Sequence, residues 1–209
     1  MIGVYANSGK LSIGEEAYLR ALTGRLVGIG LFRGFDRVAI IPYPDRICES
    51  LATAAATAYL DSYGYGPGRV AFFDYSDDVD GVAGKVVSWG ADAAFIAFGG
   101  EQRMPYVAEI SARTLESLRA AGYGGALLIH VRAWLATKQL SSVLSNAALR
   151  DYISSLREVR LFTADAGAKK FLFHTAKVSP DGGVSLSRYA EMDITDEHAM
   201  LLKLSLPPP

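Results

Sequence analysis

The chain has 209 residues, of which half are hydrophobic and 21% are charged, with a formal net charge of −1. This composition excludes a disordered chain, which would have too little apolar surface and too much net charge. The charge balance argues against a nucleic-acid partner, because proteins that coat nucleic acids carry a basic excess. The length suits one domain, or one domain with a small appendix.

The single cysteine, Cys48, excludes a disulfide scaffold and a cysteine-rich zinc site. No apolar run approaches the ~20 residues that span a bilayer, and residues 1–5 do not resemble a signal peptide. We therefore expect a soluble, cytoplasmic protein with no membrane partner. Asparagine and glutamine occur twice each, and arginine outnumbers lysine 14 to 7. This pattern is typical of thermophilic proteins, although a GC-rich genome produces a similar one.

Short β-branched and aromatic runs alternate with longer helical stretches through the first two thirds of the chain. The predicted strands are residues 2–6, 37–43, 69–75, 93–98 and 126–130. The predicted helices are residues 15–26, 47–63, 77–89, 106–121 and 134–156, the last with a break near Ser145. Strands two to five are nearly continuous hydrophobic runs, which indicate a sheet covered on both faces. The alternation predicts an α/β fold with a doubly wound, mostly parallel, Rossmann-like sheet of about five strands.

In the last third of the chain, the alternation of short strands with long helices stops. Predicted strands there are residues 159–163, 170–177, 183–192 and 200–206, with a hairpin turn at 179–183. Between these strands the sequence leaves no room for a helix, apart from a single turn near Asp196. The sequence thus predicts an α/β ligand-binding domain at 1–157 and a C-terminal antiparallel β extension with a tail at 158–209.

Ligands of open parallel sheets bind outside the carboxyl ends of the strands. The loops expected at that edge carry both signs of charge. The basic residues are Lys10, Arg46, Arg103 and Arg132, and the acidic residues are Asp45, Asp74 and Glu101. A mixed edge of this kind favours a small zwitterionic or polar ligand.

Gly99 and Gly100 directly follow the fourth predicted strand. Two interpretations stay open: a cradle of backbone N–H groups at a helix N-terminus, or a tight turn that needs positive φ. A phosphate loop at Gly9-Lys10 fails on spacing, since five residues separate Gly3 from Gly9 and Lys10 precedes a leucine. No dinucleotide fingerprint follows the first strand, and we predict no cofactor.

The densest acidic cluster comprises Asp74, Asp77, Asp78 and Asp80. An EF-hand is excluded, because the sixth and twelfth positions counted from Asp74 hold valine and lysine. A loose magnesium site is possible, but helix capping, with Ser76 as the N-cap, accounts better for the cluster. We therefore predict no metal site.

No set of catalytic residues is recognisable. His130, His174 and His198 lack zinc-binding spacing, and no G-x-S-x-G elbow occurs. Cys48 opens a helix without a base beside it, which favours a buried structural cysteine. Whether the chain catalyses a reaction stays open.

The stretch from Arg37 to Trp134 resembles the second lobe of type I periplasmic solute-binding proteins, the branched-chain amino-acid and amide-binding kind. The resemblance lies in RVAIIPYPD, GRVAFFDYSDD, WGADAAFIAFGGE and LRAAGYGGALLI, and in the later phrase VSPDGGVSLSRYAEM. It implies ligand contacts at Tyr43, Asp45 and Glu101. Those proteins have two lobes on a longer chain, so the resemblance implies a homodimer if a cleft is to form.

A second resemblance is to CRISPR-associated Rossmann-fold sensor domains, which hold a cyclic oligonucleotide across a dimer. Here Asn7 and Ser8 match the loop after strand 1, and Gly99, Gly100 and Arg103 match the loop after strand 4. Glu101 departs from this pattern, because a carboxylate beside the cradle repels phosphate.

Three functional hypotheses follow. The first is non-enzymatic binding of a small polar, amino-acid-like metabolite at the carboxyl edge of the sheet, in a homodimer. The second is a nucleotide-sensing domain, with or without slow phosphodiesterase activity. The third is a purely structural or assembly protein, in which no pocket residue matters.

Overall fold

The computed structural model describes residues 11–205. The predicted strand at 2–6 and the candidate ligand residues Asn7 and Ser8 lie outside the described residues. The helices are α1 (Ile13–Leu26), α2 (Arg46–Tyr63), α3 (Val79–Trp89), α4 (Met104–Ala120), α5 (Val131–Ala136), α6 (Ser141–Leu144), α7 (Ala147–Ser155) and α8 (Asp196–Ser205), with a π-helical turn at Val27–Leu31. The strands are β1 (Val38–Pro42), β2 (Val70–Phe72), β3 (Ala93–Ala97), β4 (Ala126–Ile129), β5 (Glu158–Asp165), β6 (Lys170–Val178) and β7 (Val184–Asp193).

These strands form one sheet in the order β2-β1-β3-β4-β5-β6-β7. The first five strands in that order are parallel, and β6 and β7 continue the sheet in antiparallel fashion. The prediction of a doubly wound, mostly parallel α/β sheet with an antiparallel C-terminal part is confirmed. The sheet runs on from β4 to β5 across the predicted boundary at 157/158, and the division of the chain into two units stays a prediction.

The central strands are buried on both faces because helices cover each side. Every residue of β1, β3 and β4 is buried. On one face, α1, α2 and α8 cover a core that includes Ile40, Phe95 and Phe173; on the other, α3 to α7 cover a core that includes Ile41 and Ile96. This two-sided burial explains the unbroken apolar runs of the sequence.

The strand order reverses at β1. The chain leaves β1 for α2 on one face and leaves β3 for α4 on the other face, so the loops after these neighbouring strands diverge. Such a switch point opens a crevice at the carboxyl edge of the sheet. We call the space between the loops at 43–46 and 98–103 the crevice.

Two predictions about the last third are wrong. Residues 158–165 form β5, which pairs in parallel with β4 and completes the parallel part of the sheet. Of the predicted strand at 200–206, residues 200–205 are helical, because α8 occupies Asp196–Ser205. Thr195 Oγ1 accepts the His198 amide at 3.1 Å, and Asp196 and Glu197 occupy the first turn. This cap and the acidic turn stabilise a helix N-terminus.

The predicted helix at 134–156 is three short helices. Thr137 Oγ1 bonds the carbonyls of Ala133 and Trp134, and positive φ values at residues 138–140 stop the first helix. Asn146 then caps α7 by accepting the amides of Ala148 and Leu149. The predicted hairpin turn at 179–183 is confirmed between β6 and β7. Within residues 11–205, no helix is both long and apolar enough to cross a membrane.

Candidate functional site

Asp45 organises one wall of the crevice. It follows β1 as the N-cap of α2, and its Oδ1 accepts the amides of Ile47 at 2.8 Å and Cys48 at 2.7 Å. Its Oδ2 accepts the amide of Glu101 at 3.3 Å and the side-chain amide of Gln102. The carboxylate therefore links the two loops of the crevice and is already supplied with donors.

Arg46 and Glu101 meet in front of Asp45. Arg46 Nη2 lies 3.2 Å from Glu101 Oε1, and the side chains are 68% and 38% exposed. An ion pair that faces solvent contributes only about 0–1 kcal/mol. The pair can therefore open at little cost, which leaves one cation and one anion available to a charged ligand.

Gly99 and Gly100 shape the loop between β3 and α4 and do not form an open cradle of N–H groups. Gly99 has φ +112°, and the Gly100 amide donates to Gln102 Oε1 at 3.2 Å. α4 begins only at Met104, so the glycines do not lie at a helix N-terminus. A Cβ at Gly100 would come within 2.4 Å of Asp45 Oδ1, so the two loops approach too closely for a side chain at residue 100 unless Asp45 shifts. The tight-turn interpretation is the one that the structure supports.

Tyrosines extend the edge of the crevice toward β2. Tyr43 stacks on Tyr75 with ring centroids 5.7 Å apart and meets the edge of Tyr106 at 6.0 Å. Tyr75 is buried, whereas Tyr106 is exposed. A hydrogen bond with Tyr43 raises the pKa of Tyr106 to about 12, so the Tyr106 hydroxyl stays neutral. This cluster offers an apolar ring surface with phenolic donors beside the charged pair.

The remaining predicted residues are less closely grouped. Asp74 is exposed and comes directly before Tyr75, at the end of β2. Arg103 is exposed at the N-cap position of α4, which has no side-chain cap. The structure thus brings Tyr43, Asp45, Gly99, Gly100 and Glu101 together and leaves Asp74 and Arg103 at the periphery of the crevice.

The acidic cluster acts locally. Asp78, not Ser76, is the N-cap of α3 and accepts the Gly81 amide at 3.0 Å, and Asp80 accepts the hydroxyl of Ser117 at 2.5 Å. The prediction of Ser76 as the cap is wrong, because the helix starts two residues later than expected. Among residues 11–205, no group of three or more His, Cys, Asp or Glu side chains could hold a metal ion.

A small buried cavity lies behind the crevice. Residues that line it include Arg20, Cys48, Gly99 and His130, and it leaves about 10 Å³, enough for about one water molecule. Arg20 comes from α1, pairs with Glu16 at 3.4 Å and has a buried Nε with no hydrogen-bond partner among the described residues. Sequence reasoning missed Arg20, because a single arginine on a helix carries no signal of burial.

Burial also controls ionisation around the cavity. Desolvation, followed by the charges of Arg20 and Arg132, holds the pKa of His130 well below its usual value, so the ring is neutral. Desolvation, with the Asp45 charge, raises the pKa of Cys48 to about 12, so its thiol is protonated at neutral pH. His130 accepts the Arg132 amide at 3.2 Å as the N-cap of α5. Both groups are therefore uncharged at neutral pH.

Arg132 closes the back of the crevice. Its Nη1 donates to the carbonyl of Gly100 at 3.1 Å. A Cβ at Gly99 would come within 2.4 Å of the Arg132 Cβ. The basic residue predicted at this edge is therefore used to hold the glycine loop.

Comparison with known proteins places the chain in a family. A protein-family model described as "Uncharacterized protein" matches residues 16–201. The chain belongs to this family. No curated protein matches the chain.

Similar solved structures include a protein assigned as a branched-chain amino acid ABC transporter from Rhodospirillum rubrum, at 20% identity and a TM-score of 0.47 over 71% of this chain and 38% of that one. An extracellular ligand-binding receptor from Verminephrobacter eiseniae matches at 11% identity and a TM-score of 0.41, over 70% of this chain and 37% of that one. A leucine-binding protein from Thermotoga maritima matches at 12% identity and a TM-score of 0.46, over 85% of this chain and 66% of that one. These proteins are of the solute-binding class that the sequence resembles.

The chain spans less than two fifths of the length of the first two of these proteins.

Proposed function

We propose that the protein binds a small zwitterionic, amino-acid-like metabolite at the crevice, without chemical conversion. The observation that carries the proposal is the exposed pair of Arg46 and Glu101, which joins the loops that diverge from β1 and β3. A zwitterion carries the same two charges as the pair. Its carboxylate would contact Arg46 and its ammonium would contact Glu101, so one ligand replaces one ion pair with two.

Neighbouring groups add selectivity to this mechanism. The Tyr43 and Tyr106 rings give an apolar and cation-attracting surface for the ligand's side chain or ammonium group. Asp45 acts as a positioning residue, since its carboxylate holds the Glu101 backbone in place. Because loops on one sheet edge cover only one side of a ligand, a second protomer would supply the opposite wall.

A thermal-shift panel of the standard amino acids and their primary amides tests the proposal. A ligand at about one hundred times its Kd stabilises by about 2.7 kcal/mol, which corresponds to about 5–10 °C in Tm. Glu101→Gln and Arg46→Gln should abolish the shift, whereas Lys85→Gln, at an exposed position on α3, should leave it unchanged. A panel in which no compound raises Tm would overturn the proposal.

The nucleotide-sensing alternative rests on Arg103. This exposed arginine sits at the uncapped N-terminus of α4, where amides and the helix dipole favour a phosphate. Glu101 and Asp45 oppose an anion at the same loop, and we therefore rank this function second. It predicts that Arg103→Ala weakens binding of a cyclic oligoadenylate in isothermal titration; equal binding by the variant would eliminate it.

A further inference from the structure

The C-terminal helix α8 packs mainly against α1, and much of the contact between the two helices is polar. Side-chain hydrogen bonds join them at three places: Tyr18 to Glu197 at 3.1 Å, Thr23 to His198 at 3.2 Å, and Ser205 to Glu16 at 3.1 Å. Hydrogen bonds of this kind contribute little net free energy each, because water offers the same groups equivalent partners when the helices separate.

The apolar part of the contact is small. Ala199 and Leu201 are the buried apolar residues of α8, whereas β1, β3 and β4 are buried along their whole length. The stabilisation from burial grows with the apolar area removed from water, so α8 gains less from it than the central strands do. Elements with few buried apolar contacts open locally, at a lower free energy than global unfolding. We therefore expect α8 to detach more readily than the sheet unfolds.

His198 lies inside this contact and is only 3% exposed. Among residues 11–205, the hydrogen-bond partner of its ring is the hydroxyl of Thr23. The ring of Phe171, from β6, has its centroid 6.4 Å from that of His198 and brings no charge. A neutral imidazole fits these surroundings. A buried imidazolium would be costly, because a buried charge needs a paired counter-charge.

The charges around His198 also oppose its protonation. From α1, Arg20 faces the ring, and Glu16 is already paired with Arg20 at 3.4 Å. The other charges of α8 are engaged or exposed: Asp196 pairs with Lys169, Glu197 accepts the hydroxyl from α1, and Lys203 is exposed. Burial, and then the Arg20 charge, lower the pKa of His198. In a detached helix the ring would be hydrated and would bind a proton more readily.

We propose that α8 is released by acid: protonation of His198 detaches α8 from α1 while the sheet stays folded. The detached helix binds a proton that the docked helix excludes, so docking is strongest above about pH 6.5 and weakens as the pH falls. Each pH unit below that value raises the equilibrium constant for release by up to about 10-fold. This proposal does not depend on ligand binding, so the two can fail separately.

Native-state hydrogen exchange on the full chain, read by mass spectrometry at pH 7.5 and pH 5, tests the release. The rates are corrected for the pH dependence of exchange in unstructured peptides. In the wild type, protection of the α8 amides should fall by about 5-fold to 30-fold between the two pH values. At both pH values α8 should be at least about 10-fold less protected than β3, because release is easier than global unfolding.

Two variants separate the titration of His198 from a general weakening of the contact. In His198→Gln, protection of α8 should change by less than about 2-fold between the two pH values, because the titrating group is gone. Tyr18→Phe is the matched control: it removes one hydrogen bond between the helices and should lower α8 protection by a similar factor at both pH values.

Circular dichroism of each variant checks that the fold is intact. Protection of α8 equal to that of β3 at pH 5, or unchanged between the two pH values in the wild type, would overturn the proposal. A pH-dependent loss in His198→Gln as large as that in the wild type would overturn it as well.

Discussion

The amide of Glu101 donates to Asp45 Oδ2 at 3.3 Å, while the other oxygen of the same carboxylate caps α2. This one side chain therefore joins the two loops that leave the sheet in opposite directions. Because those loops also carry Arg46, the geometry of the exposed charges depends on a residue that a ligand need not touch.

Replacing Asp45 tests this dependence. Asp45→Ala removes the N-cap and both loop contacts, and loss of such a cap costs about 1–2 kcal/mol of unfolding free energy. Asp45→Asn keeps one carbonyl oxygen for the cap and should be clearly less destabilised. Urea unfolding of the three proteins gives the comparison; an alanine variant as stable as the wild type would contradict the role of Asp45.

Two glycine-to-alanine substitutions distinguish the steric effect of the close contact between the loops from the general effect of replacing a glycine. Gly100→Ala should destabilise the protein by about 1–3 kcal/mol, because its Cβ would press on the Asp45 carboxylate. Gly84→Ala, within α3 with nothing inside 4 Å of the new Cβ, should be neutral or stabilise by up to about 1 kcal/mol. Equal effects on Tm at the two positions would count against the tight loop packing.

Acid should weaken the fold through its buried histidines. Burial and the Arg20 charge lower the pKa of both His130 and His198, so the folded protein disfavours the protonated rings. The unfolded chain binds protons more readily below about pH 6.5, so stability is full above that pH and falls as the pH drops. The expected slope is at most about 1.4 kcal/mol per pH unit for each histidine.

Unfolding free energies between pH 7.5 and pH 5 measure this slope. His198 Nε2 lies 3.2 Å from Thr23 Oγ1, and His198→Gln should retain a polar partner there while removing one titrating group. The variant should therefore show a shallower decline. Parallel declines in the two proteins would mean that His198 does not contribute.

Cys48 should resist alkylation in the folded protein. Its thiol is buried and its pKa is raised to about 12, so both access and the thiolate fraction are low. Iodoacetamide at pH 8 should modify the native chain at least about 100-fold more slowly than the urea-unfolded chain. Mass spectrometry reads the extent of reaction, and comparable rates would show that the α2 N-terminus opens readily.

Much of the fold was predictable because its signals are local. The runs around Ile40 and Phe95 are apolar on both faces, and burial on both faces is what the doubly wound sheet provides. The C-terminal helix was not predictable in this way, since the apolar residues around Leu201 suit a strand equally well. Its cap at Thr195 and its packing on α1 decide between the two structures.

The candidate site was predictable in outline, because parallel strands bring their carboxyl ends to one edge. Asp45 and Glu101 were therefore expected to be neighbours. The roles of Gln102 and Arg20 were not, since they arise from contacts between loops and helices far apart in the sequence. The Gly100 amide, which would face a ligand in one of the two open interpretations, donates instead to Gln102 for the same reason.

Isothermal titration provides the most direct test of the mixed-charge crevice. The amino acid with the largest thermal shift is titrated into the wild type and Glu101→Gln, together with its N-acetyl and methyl ester derivatives. We predict that each derivative binds the wild type at least about 10-fold more weakly, because each removes one of the two charges. Glu101→Gln should weaken binding of the unmodified amino acid, but it should change the affinity of the N-acetyl derivative little, because that derivative has no ammonium group for Glu101 to contact. Derivatives that bind as tightly as the zwitterion would contradict the account.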